Sequence, residues 1–590
     1  MKFFACIAAI WRFWAILILA GLTAIYFSAC SPVRLKNQAN QSQLVLLMLV
    51  DPITFNAALA EESRNTIFDL IYEGLITENP VTGKKEPALA KSWNFSEDNL
   101  KIVFTLRPGL KWSDGHPLTV DDVIFSYNHV YLNEEIPSLA RDSLRIGQSR
   151  AFPKVRKLDD LQVEFIITEA FAPFLDSVEL PILPKHILQK TVENRGKDGK
   201  PIFLSTWGVD TPPEQIIVNG PYKIKSYSTS ERLIFSNNPY YWKKDEHGNQ
   251  LPYIKRVIWA IVESTDTSLI QFRSGSLDSI EVAPQYFSLL KQEEKRGNFT
   301  IYNGGTAYDT NYISFNLNKG KREGKPLVDP IKSRWFNNVN FRRAVAYAID
   351  RQRIINNIFQ GLGNPQDSDI FAQSPFYYKN IKRYDYNPQK AKNLLLSEGF
   401  KYSEKQELLD QEGNRVRFNL ITNAGIRTRE SMGVQIQEDL GKIGIQVDYS
   451  PIGFHTLIDK LDNTLDWECY LLGFSAGNEP NNRANIWLYN GTVHTFNQKA
   501  QPGNKPIEGR EVAEWENQIE ELYIQGAIEL DFEKRKAMYV EAQRLIHDYV
   551  PFIYLVTPYS MAAVRNDIKG IQYSALSGAF WNLEKLKISK

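Results

Sequence analysis

Cysteine is nearly absent from this chain: there are three in 590 residues, at positions 6, 30 and 469. So few exclude a disulfide framework and any cysteine-rich metal site. Histidine is also scarce, and its seven copies (116, 129, 186, 247, 455, 494, 547) include no pair at the spacing of a transition-metal site. Neither a metal nor a cofactor is expected. An excess of one charge is missing too, with 69 Lys and Arg against 68 Asp and Glu. A nucleic-acid partner would need a basic surface, so that class is set aside. No glycine loop ends in Lys-Ser/Thr, so any nucleotide hydrolysis linked to this chain belongs to other subunits. What is plentiful is aromatic side chains, 28 Tyr, 32 Phe and 12 Trp. They serve either ligand stacking or an aromatic-rich core. The length exceeds a single core and points to two to four domains.

The long apolar run stands at the start. Lys2 and Arg12 precede an almost unbroken stretch from Phe13 to Phe27, followed by Ser28-Ala29-Cys30. That run has the length of a signal-peptide core and is too short for a membrane span. Ser28-Ala29-Cys30 resembles a bacterial lipobox, with Phe27 where Leu is commoner. The resemblance implies a signal peptide over 1–29 and lipid on Cys30; ordinary secretion and a retained helix are the other readings. Loss of Lys2 and Arg12 would move the net charge from +1 to −1. Residues 30–44 are polar and aperiodic and are expected to form a tether between lipid and folded body.

Further along, apolar spacing assigns the elements. "LVLLMLV" at 44–50 predicts a strand, and Arg64–Leu75 a helix burying Ile67, Leu70, Ile71 and Leu75. Lys101–Leu106 alternates as a half-buried strand, turned by Pro108-Gly109; a second turn is Ser113-Asp114-Gly115. Thr119 with Asp122 makes a capping box ahead of Val123, Ile124 and Tyr127, which assigns the pair Asp121-Asp122 to a helix N-terminus, not to catalysis. Phe341–Phe359 predicts two helices, the second capped by Asp350. Asn387-Pro388 starts a helix that Gly399 stops, and Arg417–Val447 runs strand, helix, strand, with Gly444 closing the helix. Asp531 caps a helix with a stripe of Met538, Ala542, Leu545 and Tyr549, ended by Pro551. Glu193–Pro213 and Lys319–Pro330 are loops by composition. Alternating units make the class α/β.

"SWNFSEDNLKIVFTLRPGLKWSDGHPLTVDDVIFSY" (92–127) closely resembles the signature of the family 5 extracellular solute-binding proteins, the oligopeptide, dipeptide and nickel receptors of ABC importers. "NGPYKIKS" (219–226), "NYISFNLN" (311–318), 339–363 and 531–555 resemble further blocks of that family in order. The resemblance implies a type II periplasmic-binding-protein fold, two lobes with a hinge plus an extra inserted domain. Lobe I would hold 45–80, 218–310 and 555–590; the inserted domain 81–217; lobe II 311–554. It implies a monomeric, non-enzymatic receptor facing the periplasm or cell exterior, held to the membrane through Cys30. Such a receptor captures peptides and delivers them to an ABC permease with its ATPase subunits. An oligosaccharide, metal chelate or peptide-like compound is the alternative solute.

One motif points elsewhere. Gly473-Phe474-Ser475-Ala476-Gly477 is a G-x-S-x-G, which can present a serine nucleophile at a strand-to-helix elbow. Ser475, Asp531 and His547 would supply a triad in the right order for a secreted hydrolase. However, Pro480 and the asparagines at 478, 481, 482, 485 and 490 oppose the helix an elbow needs. A glycine- and asparagine-rich loop at a strand's C-terminal end is instead a place to bind ligand. Many peptide-binding members of the resembled family carry an Asp here for the ligand's α-amino group; this chain has Ser475-Ala476-Gly477, with Glu479 the nearest acid. Candidate ligand contacts are Thr54, Phe55 and Asn56, Asn316, Phe474, Ser475, Ala476, Gly477 and Asn478, with Trp467 and Trp487 as walls or core.

Overall fold

The computed structural model describes residues 43–60, 67–138, 140–262, 264–475, 477–501 and 503–589. The expected signal peptide, Cys30, most of the tether and Ala476 lie outside the described residues. Among the described residues no helix is long and apolar enough to cross a membrane.

Four larger sheets organise the chain. In the first, Gln43–Met48 lies parallel to Arg256–Ile261, followed by the antiparallel strands Arg232–Asn237 and Tyr222–Ser228. Gln43, assigned above to the tether, is therefore part of this sheet, and Leu44, where tether and predicted strand overlapped, is fully buried in it. The second is an antiparallel sheet of Ala90–Phe95, Lys101–Leu106, Gln162–Ile166 and Lys154–Lys157. The third is built on the long strand Val556–Arg565, flanked by Ser279–Glu281 and Phe299–Thr306 and joined at its start by Gly363–Pro365. The fourth orders Gln446–Ile452, Arg417–Asn423, Cys469–Leu472, Tyr312–Phe315 and Phe552–Tyr554. Its first three strands are parallel, and Tyr312–Phe315 runs antiparallel to both neighbours. Tyr312–Phe315 and Cys469–Leu472 are buried at every position, as strands covered on both faces should be. Covering those faces takes helices such as Arg427–Gly441 and Phe532–Tyr549.

Local chemistry sets the element ends. Thr119 accepts from Asp121 N while Asp122 returns a bond to Thr119 N, the reciprocal box expected. Asp350, Asn387 and Asp531 cap their helices by accepting from Arg353, Lys390 and Lys534 amides. Phe532–Tyr549 departs from expectation in its buried face, which is Arg535, Tyr539, Ala542, Gln543 and Ile546. Met538, Leu545 and Tyr549 flank it half-buried. The stripe is rotated because two of its members are polar: Arg535 pairs with Glu479 and Gln543 donates to Phe376 O. A hydrophobic count cannot see such positions.

Three apolar cores result. One joins the first two sheets and the C-terminal residues to Leu586. A second is made only of residues between Tyr312 and Val556. The third, around Phe272, Leu277 and Ala563, seats the helices Thr265–Arg273 and Pro284–Glu293 on the third sheet. The lone Cys469 is fully buried in the second core, where burial pushes its thiol well above the ordinary value and leaves it inert.

Candidate functional site

Strands Arg417–Asn423 and Cys469–Leu472 are parallel and end at the same edge of the fourth sheet. The loop after Leu472 is tied there to the segment leading into Tyr312–Phe315. Phe474 N donates to Thr310 Oγ1 (2.8 Å), and Thr310 N and Oγ1 donate back to Phe474 O (2.9 and 3.0 Å). Gly473 is required for that approach: a Cβ on it would stand 2.0 Å from Thr310 O. Ser475 Oγ donates to Asp309. Tyr308 OH donates to Asn478 Oδ1 (2.9 Å), and Ser374 Oγ to Asn478 O (2.8 Å). Glu479 turns inward: it caps the short 3₁₀ helix Pro480–Arg483 and receives Arg535 Nη2 at 2.5 Å. Burial raises its pKa against the pull of Arg535. It is therefore not free to stand in for the missing aspartate.

A cavity of about 1710 Å³ opens beside this loop, well above the 300–1,000 Å³ of typical small-molecule sites. Its walls come from distant parts of the chain: the Met48–Ile53 stretch, the helix Ile67–Ile71, Glu281, the 475–485 loop, Tyr523 and the C-terminal 573–581 segment. Next to the lining residue Phe171, Ala172 N donates to the carbonyl of Ala527, also on the wall (2.8 Å). Ser475 and Gly477 line the cavity.

The other expected contact residues are turned into the protein. Thr54 Oγ1 donates to Trp207 O (3.2 Å), and Phe55 is 1% exposed. Asn56 is fully buried, its Nδ2 donating to Phe203 O and Thr206 O, its Oδ1 accepting from Ala58 N. Asn316 Nδ2 holds the carbonyls of Leu465 and Trp467. Phe474 packs on Tyr312, 5.4 Å between ring centres, and Trp467 on Tyr470 at 4.9 Å. Trp487, 1% exposed, donates to Asp369 Oδ2 (3.0 Å). Both tryptophans are buried. Each is an anchor of the scaffold around the loop.

The model of the bacterial extracellular solute-binding proteins, family 5 (middle region), matches residues 84–496, more than half of the chain. The chain belongs to this family. A relative named a probable ABC transporter-binding protein, from Deinococcus radiodurans, is 29% identical over 531 residues, covering 86% of this chain and 85% of its own. Two solved structures share the fold. The oligopeptide-binding protein AppA of Bacillus subtilis, in complex with a nonapeptide, superposes with a TM-score of 0.74 at 22% identity. It covers 93% of this chain and 99% of its own. The periplasmic binding protein MelB of Agrobacterium fabrum, in complex with stachyose, gives 0.77 at 19% identity, with 93% and 85% covered. The architecture is thus the mixed α/β, type II binding-protein fold.

In this family 5 chain, Ser475 lacks the surroundings of a nucleophile elbow. Its hydroxyl is held by Asp309, and the chain continues into a 3₁₀ turn instead of a helix. His547 sits on the far helix, stacked on Tyr384 at 4.5 Å.

Carboxylates dominate the cavity, and residue patterns had not singled them out. Asp69 is the exposed position of an otherwise buried helix and faces the cavity; desolvation within the cleft, then Glu179, pushes its pKa up to about 7. Glu179 is likewise raised to about 7 by burial, against Lys85. Glu281 is raised by burial and by Asp309. Lys85 lies 2.7 Å from Asp176 and 2.9 Å from both Glu78 and Glu179. Burial pulls its ammonium pKa down, yet Asp176 and Glu179 outweigh that and hold it above the ordinary value. An acid inside "IFDLI" was the available signal for Asp69; Glu281 and Asp309 carried none.

Proposed function

We propose that this protein is the solute receptor of an ABC importer and captures peptides in the cavity between two lobes. The division that fits this reading is 45–80, 218–310 and 555–590 as lobe I, 81–217 as an inserted domain and 311–554 as lobe II. The chain would then cross between lobes near residue 310 and near residue 555, two strand-end segments suited to hinge bending. Ligand touching both walls favours the closed arrangement, which shifts the population towards the form a permease recognises.

The observation that carries the peptide reading is the cavity's size, about 1710 Å³, which suits an extended oligomer better than a single small molecule. AppA's nonapeptide supports the same class; MelB's stachyose is the reason to keep an oligosaccharide as the second reading. Sequence-tolerant binding would come from strand-like backbone pairing, with Ser475, Ala476 and Gly477 close to the ligand. Export, with lipid on Cys30 as the membrane anchor, rests on the N-terminal pattern and would keep receptor near permease. Calorimetric titration with penta-alanine, stachyose and a nickel–histidine complex tests the solute. Heat from the peptide alone is expected; binding of the sugar or the chelate with a silent peptide would overturn it.

A further inference from the structure

The cavity wall is one-sided in charge. Ten carboxylate side chains line it against four basic ones, Arg145, Arg150, Lys243 and Lys585. Lys243 is engaged by Glu584 at 3.2 Å, and Arg145 lies over the Phe152 ring at 4.6 Å. On one wall the single ammonium of Lys85 serves Glu78, Asp176 and Glu179, while a fourth acid, Asp69, faces the cavity with no hydrogen-bond partner among the described residues. On another, Glu281 is open to the cavity, equally without partner, beside Asp309. Asp69 and Glu281 stay open to the cleft, and carboxylates facing it without partners hold a negative field there that a cation relieves.

A bare metal ion fits poorly: no group of three His, Cys, Asp or Glu among the described residues is arranged to hold one. Carboxylates on separate walls match an organic ligand carrying spaced positive groups.

We infer that the cavity selects cationic ligands and, on the peptide reading above, Lys- or Arg-bearing peptides, with one positive group at Asp69–Glu179 and another at Glu281–Asp309. These sites take over the task of the absent loop aspartate: the α-amino group or a basic side chain is met from lobe I and the inserted domain and not by the 475–477 loop.

The test is calorimetry on the full mature chain, freed of co-purified ligand, against Lys-Ala-Lys-Ala-Lys, penta-alanine, Glu-Ala-Glu-Ala-Glu and spermidine. The basic peptide is expected to bind about tenfold more tightly than penta-alanine and the acidic one least. Asp69→Asn and Glu281→Gln should each cut that preference several-fold, and the double variant should erase it while melting as cooperatively as the parent. Penta-alanine binding as well as the basic peptide, or a double variant that keeps the preference, overturns the inference and leaves the peptide receptor standing. Spermidine binding lost in the double variant, with all peptides silent, keeps the cation site and removes the peptide reading. Silence from every probe removes both.

Discussion

Gly473→Ala and Gly477→Ala separate a ligand-loop scaffold from a nucleophile elbow. The new Cβ at 473 would stand 2.0 Å from Thr310 O, whereas real contacts stay beyond 3.0 Å. The backbones must part by about 1 Å, an overpacking strain of 1–3 kcal/mol. That shift also strains the three hydrogen bonds joining Phe474 to Thr310, each worth about 1 kcal/mol. A loss of about 3 kcal/mol is therefore expected. At Gly477 the nearest atom to an added Cβ is Asn482 Nδ2 at 3.8 Å, an ordinary contact, so Ala should change stability by less than about 1 kcal/mol. Hydrogen exchange read by mass spectrometry over 308–312 and 470–475 measures the difference. About 3 kcal/mol corresponds to roughly a hundredfold loss of protection in Gly473→Ala. Unchanged protection there, or an equal loss in both variants, would refute the close-approach argument.

Three further outcomes are expected. Glu479→Ala leaves Arg535, its side chain 8% exposed, without its carboxylate and should cost about 3–5 kcal/mol in denaturant unfolding, with the loop after Pro480 opening first. Asn56→Ala strips a fully buried amide of three hydrogen bonds and should lower stability by about 1–3 kcal/mol with peptide affinity unchanged; a selective affinity loss would put Asn56 back at the site. Asp69 has a folded pKa of about 7, above its ordinary value, so between those limits the folded state binds the extra proton, and the stability this group confers is lost as pH rises through about 7. A cationic ligand needs the anion. Its affinity should rise from pH 6 to pH 8 with proton release into the buffer. Glu179, raised into the same range, shares that profile, so Asp69→Asn should reduce the rise without removing it, and a flat profile in the parent would contradict this.

Much of the scaffold was legible because its signals are local. The capping residues Thr119, Asp350, Asn387 and Asp531 act within three residues of themselves, and the strand Lys101–Leu106 shows its alternation directly. The site was legible only in its loop. Asp69, Glu281 and Asp309 are far apart along the chain and reach one cavity through tertiary packing that no short window contains. Trp467 and Trp487 stayed open between wall and core for the opposite reason: rings suited to ligand stacking are as well suited to a core, and Asp369 supplies Trp487 with its partner from 118 residues away. The buried stripe of Phe532–Tyr549 was displaced by Arg535 and Gln543, polar side chains whose partners are all tertiary.

Native mass spectrometry of the protein purified without its N-terminal 42 residues, with released ligand identified by fragmentation, tests the central claim most directly. A ladder of co-purified masses resolving to mixed peptides rich in Lys and Arg is the predicted result. A single non-peptide mass, such as one oligosaccharide, would contradict it.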